Sequence, residues 1–213
     1  MNGIHKRPIT VRVKICGLTT LEDAQAAADA GADAVGFVLY KDSPRQISAD
    51  QAKEIILRLP PFVTTVGLFV NQPTQWVRVM ADRCGVDVLQ FQGDESPAYC
   101  EAFAPRAIKA IRVKDRDSLE PMAEYAVRAF VLDAYQEGEY GGTGKTFDWD
   151  LAAAAKAHGR IILAGGLTPD NVAEAIRRVQ PFGVDVSTGV EGYTKGKKDH
   201  GKIKAFIQAA KGG

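Results

Sequence analysis

Eight short runs of apolar, largely β-branched residues recur along the chain at near-regular intervals. They fall near 11–16 (VRVKIC), 34–40 (AVGFVLY), 64–70 (TTVGLFV), 86–92 (VDVLQFQ), 107–113 (AIKAIRV), 129–134 (AFVLDA), 160–164 (RIILA) and 182–187 (FGVDVS). Each is bounded by Gly, Pro, Asp or Asn, as strands are. Between the runs lie amphipathic stretches of helical length. In "TTLEDAQAAADAG", Thr20 can cap a helix, Glu22 and Asp23 sit in its positive first turn, and Gly31 stops it. "SADQAKEIILRLP" runs from Ser48 to Pro60, "QPTQWVRVMADRCG" opens at Pro73 and closes at Gly85, and "TPDNVAEAIRRVQP" starts at Thr168 with Pro169 and Asp170 behind it. The stretches "SPAYCEAFA", "SLEPMAEYA" and "DWDLAAAAKAHG" carry weaker helical patterns, and "HGKIKAFIQAAKG" ends the chain. The pattern therefore predicts eight strands and eight helices in strict alternation, with no linker.

Alternation of this kind implies a parallel sheet, because a right-handed crossover returns each strand beside the one before. Eight units in 213 residues predict a single-domain α/β fold, a closed (β/α)8 TIM barrel over 1–213 with residues 1–10 as an extension leading into strand one. An open doubly wound sheet is the alternative. It should carry a G-x-G-x-x-G turn after an early strand, and "CGLTTLED" is not one.

Composition narrows the function classes. With 27 Lys and Arg against 26 Asp and Glu, the net charge of +1 favours neither nucleic acid nor an anionic membrane. No run approaches the ~18 apolar residues of a membrane span, and "MNGIHKRPIT" lacks the apolar core of a signal peptide. The odd cysteine count (Cys16, Cys84 and Cys100) suits reduced thiols and a cytoplasmic location. His5, His158 and His200 are scattered without partners at zinc spacing, so neither a metal nor another cofactor is expected.

In parallel barrels the chemistry gathers at the carboxyl ends of the strands. Strand one ends at Cys16, strand six at Asp133, and strand eight at Asp185-Val186-Ser187. The loop after strand two, "KDSPRQIS", holds Arg45, and the loop after strand six is "YQEGEYGGTGKTF". Strand seven runs into Gly165-Gly166 and strand eight into Ser187-Thr188-Gly189, the pair of loops that commonly hold phosphate in this fold. Glycines let backbone N–H groups approach an anion, although Gly-Gly also serves simply to turn a chain.

Alternation along strand one sets Val13 and Ile15 on one face and Lys14 and Cys16 on the other. The apolar pair suits the helix layer, which leaves Lys14 and Cys16 pointing inward. An inward lysine needs a counter-charge, and Asp185 on the neighbouring strand of a closed barrel is the candidate. Asp133 breaks an apolar run, an expensive place for a carboxylate that is neither paired nor used. Arg45 would by default face solvent, but its guanidinium fork can hold a carboxylate by two hydrogen bonds. Cys84 and Cys100 read as packing residues.

Taken in order, "VKICGLTTLEDAQAAADAGADAVGFV", "SPRQIS", "VGLFVNQ", "VLQFQGDE", "VLDA…GGTGKTFDW", "ILAGGLTPDNV" and "GVDVSTGVEG…GKKD" resemble the phosphoribosylanthranilate isomerases, over about residues 11–207. The resemblance implies a cofactor-free Amadori rearrangement of a phosphosugar substrate in tryptophan biosynthesis. It implies Cys16 as general base, Asp133 as general acid and Arg45 as the group holding the anthranilate carboxylate. It places Asp185 and Gln92 at the substrate and the phosphate on Gly165, Gly166, Ser187 and Gly189. The family includes monomers and homodimers. Two positions depart from its pattern: Gln92 stands where a histidine is usual, and Thr188 where a serine is usual.

Such chemistry needs one proton delivered and one removed. A free thiol of pKa ~8.5 is only about 3% thiolate at pH 7, and a free carboxyl of pKa ~3.9 only about 0.1% protonated. Burial is expected to bring Asp133 up toward neutrality, and Lys14 to favour the Cys16 thiolate. Two other readings fit parts of the pattern. The histidine-pathway aminoaldose isomerase shares the phosphate site but starts from an aspartate on strand one. A non-catalytic phosphosugar-binding regulator should have lost the acid or the base.

Overall fold

The computed structural model describes residues 11–136, 141 and 146–212. Eight parallel strands close into a barrel in sequence order: β1 Arg12–Cys16, β2 Ala34–Val38, β3 Thr64–Phe69, β4 Val88–Phe91, β5 Ala107–Val113, β6 Phe130–Ala134, β7 Ile161–Leu163 and β8 Gly183–Val186. Closure is made by β1 against β8, where Lys14 lies opposite Asp185. The crossovers are α1 Leu21–Asp29, α2 Ala49–Ile56, α3 Thr74–Cys84, α4 Pro97–Glu101, α5 Trp149–Ala155, α6 Val172–Val179 and α7 His200–Lys211.

Local signals act much as the sequence predicts. The Thr20 hydroxyl accepts from Asp23 N–H at the start of α1, and Ser48 and Gln51 form a reciprocal capping box on α2. Gly85 ends α3 in the left-handed conformation. Two crossovers differ from expectation. After β5 the chain forms a 3-10 helix, Asp117–Glu124, because Pro121 sits inside it and denies an α-helix one N–H. The helix expected from Thr168 begins at Val172 instead. Residues 168–171 form a turn in which the Asn171 side chain accepts from Thr168 N–H at 2.8 Å and donates to the Gly166 carbonyl at 2.9 Å.

Two apolar layers result. Strand residues such as Ile15, Phe37, Phe69, Phe91, Phe130 and Leu163 face the helices, and Cys16, Val38, Leu68, Ile108, Val131 and Ala164 fill the barrel interior. Burying each large side chain contributes about 1.5–3 kcal/mol, so the outer layer carries most of the stability. The interior is thinner and partly polar, with Lys14, Gln90, Gln92, Asp133 and Asp185 all buried. Among the described residues no helix is long and apolar enough to cross a membrane.

Candidate active site

Alternation along β1 does put Lys14 and Cys16 inside the barrel. The Lys14 ammonium donates to Asp185 Oδ2 at 2.7 Å, with both side chains buried. Replacing such a pair by apolar residues is often neutral or stabilising, so its presence in the floor of the barrel points to use rather than to stability. Asp185 Oδ1 is buried and has no hydrogen-bond partner among the described residues. It is an acceptor held ready for a donor.

Cys16, Asp133 and Asp185 line one cavity at the carboxyl ends of the strands, together with Arg45, Gln92, Gly165, Gly166, Ser187 and Gly189. The candidate catalytic, substrate-binding and phosphate-binding residues therefore meet at one mouth. Most of the long loop after β6 lies outside the described residues. Its Gly141 packs over Asp133, where an added Cβ would meet Oδ2 at 2.7 Å.

Burial raises the Asp133 pKa to about 6, against the lowering effects of Ala134 N–H on Oδ1 and Gln92 on Oδ2. A carboxyl raised in the fold stabilises the protein fully below its unfolded pKa of ~3.9, and that contribution is lost as pH rises through about 6. Asp133→Asn is therefore expected to stabilise the protein at pH 7.5, by up to about 3 kcal/mol, with the gain vanishing below about pH 4. Denaturant melts of both proteins across that range check it.

Cys16 departs from expectation. Lys14 does favour its thiolate, but burial outweighs it and Asp185 adds repulsion, so the thiol pKa lies above its usual value. Lys14 is itself held charged: burial opposes the ammonium, and Asp185 and Cys16 together outweigh that.

Arg45 also differs from the reading of a free fork. Its Nε and Nη2 donate to Glu191 Oε1 and Oε2 at 2.6 and 3.0 Å, and Nη2 reaches Thr188 Oγ1 at 3.1 Å. Nη1 carries no hydrogen bond among the described residues and is the part left for a ligand. Glu191 shares Oε1 with the buried Lys198 at 3.2 Å, and Lys198 also donates to the Ser187 carbonyl and hydroxyl at 3.1 and 3.2 Å. Burial lowers the Lys198 pKa despite the neighbouring Glu191.

Glu191, Lys198 and Asn171 brace the two glycine loops, and they carry no role in the reading from sequence. The signal present there was their place in "STGVEG…GKKD" and "GGLTPDN". Gly165 and Gly166 turn with φ of +77° and +62°, and no hydrogen bond from their N–H groups to the described residues is present. Free amides in a glycine turn are suited to an anion. At Gly189 an added Cβ would stand 1.9 Å from the Leu167 carbonyl oxygen, so the two loops touch there. Gly189→Ala should push them apart and raise KM about tenfold or more, with a smaller change in kcat, in steady-state kinetics.

A thiol and a raised carboxyl lining one cavity inside a (β/α)8 barrel, beside two anion-ready loops, mark an isomerase of the sugar-phosphate barrel class. The chain belongs to the N-(5'-phosphoribosyl)anthranilate isomerase family, whose model matches residues 13–209. A relative of that name from Geobacter sulfurreducens is 57% identical over 202 residues, covering 95% of this chain and 99% of its own. Among solved structures, one described as mutually generated monomers of dimeric phosphoribosylanthranilate isomerase from Thermotoga maritima superposes with TM-score 0.84. It is 42% identical and covers 95% of this chain and 99% of its own. A phosphoribosylanthranilate isomerase in complex with reduced 1-(o-carboxyphenylamino)-1-deoxyribulose 5-phosphate matches with the same identity, coverage and TM-score.

Proposed function

We propose that this chain isomerises N-(5'-phosphoribosyl)anthranilate to 1-(o-carboxyphenylamino)-1-deoxyribulose 5-phosphate, an Amadori step of tryptophan biosynthesis, with Asp133 as acid and Cys16 as base. The observation that carries the assignment is the convergence of Cys16, Asp133 and Asp185 on one cavity rimmed by Gly165–Gly166 and Ser187–Gly189. The reaction begins when the anthranilate nitrogen pushes its lone pair onto C1 and the ring C–O bond breaks. Asp133 gives its proton to the leaving ring oxygen, and an open-chain iminium forms. Cys16 as thiolate then takes the proton from C2, and the electrons flow to nitrogen, leaving an enolamine. Tautomerisation of the enolamine gives the ketone. Acid and base each contribute typically 10²–10⁴-fold to such steps.

The remaining side chains bind. Asp185 Oδ1, lacking a donor, takes one from the substrate's amine. Arg45 Nη1 meets the anthranilate carboxylate, oriented by Glu191 on the other side of the guanidinium. The phosphate sits on the Gly165–Gly166 amides, Ser187 and Gly189. Gln92, an amide in the position of a histidine, supports Asp133 without titrating. The test is loss of the substrate's anthranilate fluorescence on mixing enzyme with N-(5'-phosphoribosyl)anthranilate. Turnover at a typical enzymatic kcat of ~1–10³ s⁻¹ supports the reading. Tight binding without turnover, or turnover of the histidine-pathway aminoaldose alone, contradicts it.

The reading also includes cytoplasmic location, consistent with three free, buried thiols, and assembly as a homodimer. Phe62, 97% exposed, and Phe182, 45% exposed, stand at the amino-terminal rim of the barrel beside a shared hollow. An exposed aromatic next to a hollow suits a second copy of the same surface. Phe62→Asp should convert a dimer to monomers in sedimentation velocity while leaving kcat within about twofold.

A further inference from the structure

Gln90 and Gln92 are consecutive inward residues near the end of β4, 1% and 5% exposed, and both line the cavity. Gln90 Nε2 donates to Gln92 Oε1 at 2.7 Å, and Gln92 Nε2 donates to Asp133 Oδ2 at 3.3 Å. Gln90 Oε1, at the far end of this chain, is buried with no partner among the described residues. An orphaned buried acceptor costs about 1–3 kcal/mol, so its retention needs a reason.

The reason lies in the polarity of the chain. An ionised Asp133 can only accept, so Gln92 must turn its NH2 outward and its carbonyl back toward Gln90. A protonated Asp133 can donate, and the complementary arrangement then reverses every bond. Asp133 would donate to Gln92 Oε1, and Gln92 Nε2 would donate to Gln90 Oε1, the atom that now lacks a partner. The number of bonds along the chain is the same in both polarities. We propose that Gln90 is a positioning residue, the terminal member of an amide relay that reverses as Asp133 loses and regains its proton. This rests on Asp133 being the group that cycles between the two forms.

Few other groups can drive such a reversal. Among the described residues, the titratable groups facing Asp133 are Lys14 and Cys16 from β1 and Asp185 from β8. On β5 the register neighbour Arg112 pairs with Asp94, and from β7 only Ala164 and Gly165 approach. The β4 side offers only the two amides. They carry no charge in either polarity, so the acid can change state without a second titration beside it.

The experiment is a pH titration of side-chain amide signals in glutamine-labelled enzyme by ¹⁵N–¹H spectroscopy, from pH 5 to 8, without substrate. The Gln92 and Gln90 signals should move together with one midpoint, that of the Asp133 carboxyl followed by ¹³C. In Asp133→Asn both should stay flat, and in Gln92→Met the Asp133 carboxyl should still titrate while Gln90 falls silent. A Gln90 signal that stays flat while Gln92 moves overturns the relay. So does a Gln90 signal that still titrates in Gln92→Met. Because no turnover is measured, failure of the relay leaves the assignment of the acid intact, and an inactive Asp133→Asn enzyme does not by itself support the relay.

Discussion

Asp133→Asn is expected to lower kcat about a thousandfold while substrate binds within about threefold of normal, since an amide fills the carboxyl's place without a proton to give. The pH dependence of kcat/KM should change in form as well as in height. On the proposed roles, the productive state pairs a protonated Asp133 with an ionised Cys16. Asp133 titrates at about 6 and the Cys16 thiol above its usual range, so this state is a minority at every pH. Below about 6 the carboxyl is protonated and the rate climbs as thiolate accumulates. Above that, each gain in thiolate is matched by a loss of acid and the profile is flat. Once Cys16 itself ionises, the rate falls. In Asp133→Asn ring opening limits and no carboxyl is left to titrate there, so the residual rate should lose the bend near 6. A variant profile that keeps the bend near 6 would assign that bend to another group.

Cys16→Ser carries the second large effect. A serine hydroxyl ionises far above any thiol, so the C2 proton has no base to receive it, and kcat should fall by about 10³-fold or more with KM little changed. Burial already holds the thiol against ionisation, and Lys14, with Lys198 behind it, opposes this. In the proposed mechanism the acid and the base serve successive steps, so the double variant should fall little further than the slower single variant. Losses that multiply would mean that both groups act in one transition state. Steady-state kinetics on the three variants, with folding checked by circular dichroism, make the comparison.

The barrel was legible because strand and helix periods alternate without interruption, and inward Cys16 and Lys14 followed from the two-residue repeat of β1. The Lys14–Asp185 pair was legible for the same reason, since closing the barrel makes first and last strands neighbours. Arg45 was only half legible. Its place at the mouth could be read from "SPRQIS", but its partner Glu191 lies 146 residues further on, and nothing local points to it. Lys109 was not legible at all. It lies on the helix-facing side of β5, buried, and donates to the Phe91 and Gly93 carbonyls and to Glu95, fixing the loop after β4. The sign of the Cys16 shift escaped the sequence because desolvation is a sum over the whole enclosure, whereas Lys14 is one neighbour. The 3-10 segment after β5 could have been anticipated from Pro121.

That a carboxyl on one wall opens the sugar and a thiol on the other then strips C2 is tested most directly with substrate deuterated at C2. In single turnovers Cys16→Ser should show a full primary isotope effect, because breaking the C2–H bond limits it. Asp133→Asn should show almost none, because ring opening limits it. The opposite pattern, or equal effects in both variants, would contradict this division of labour.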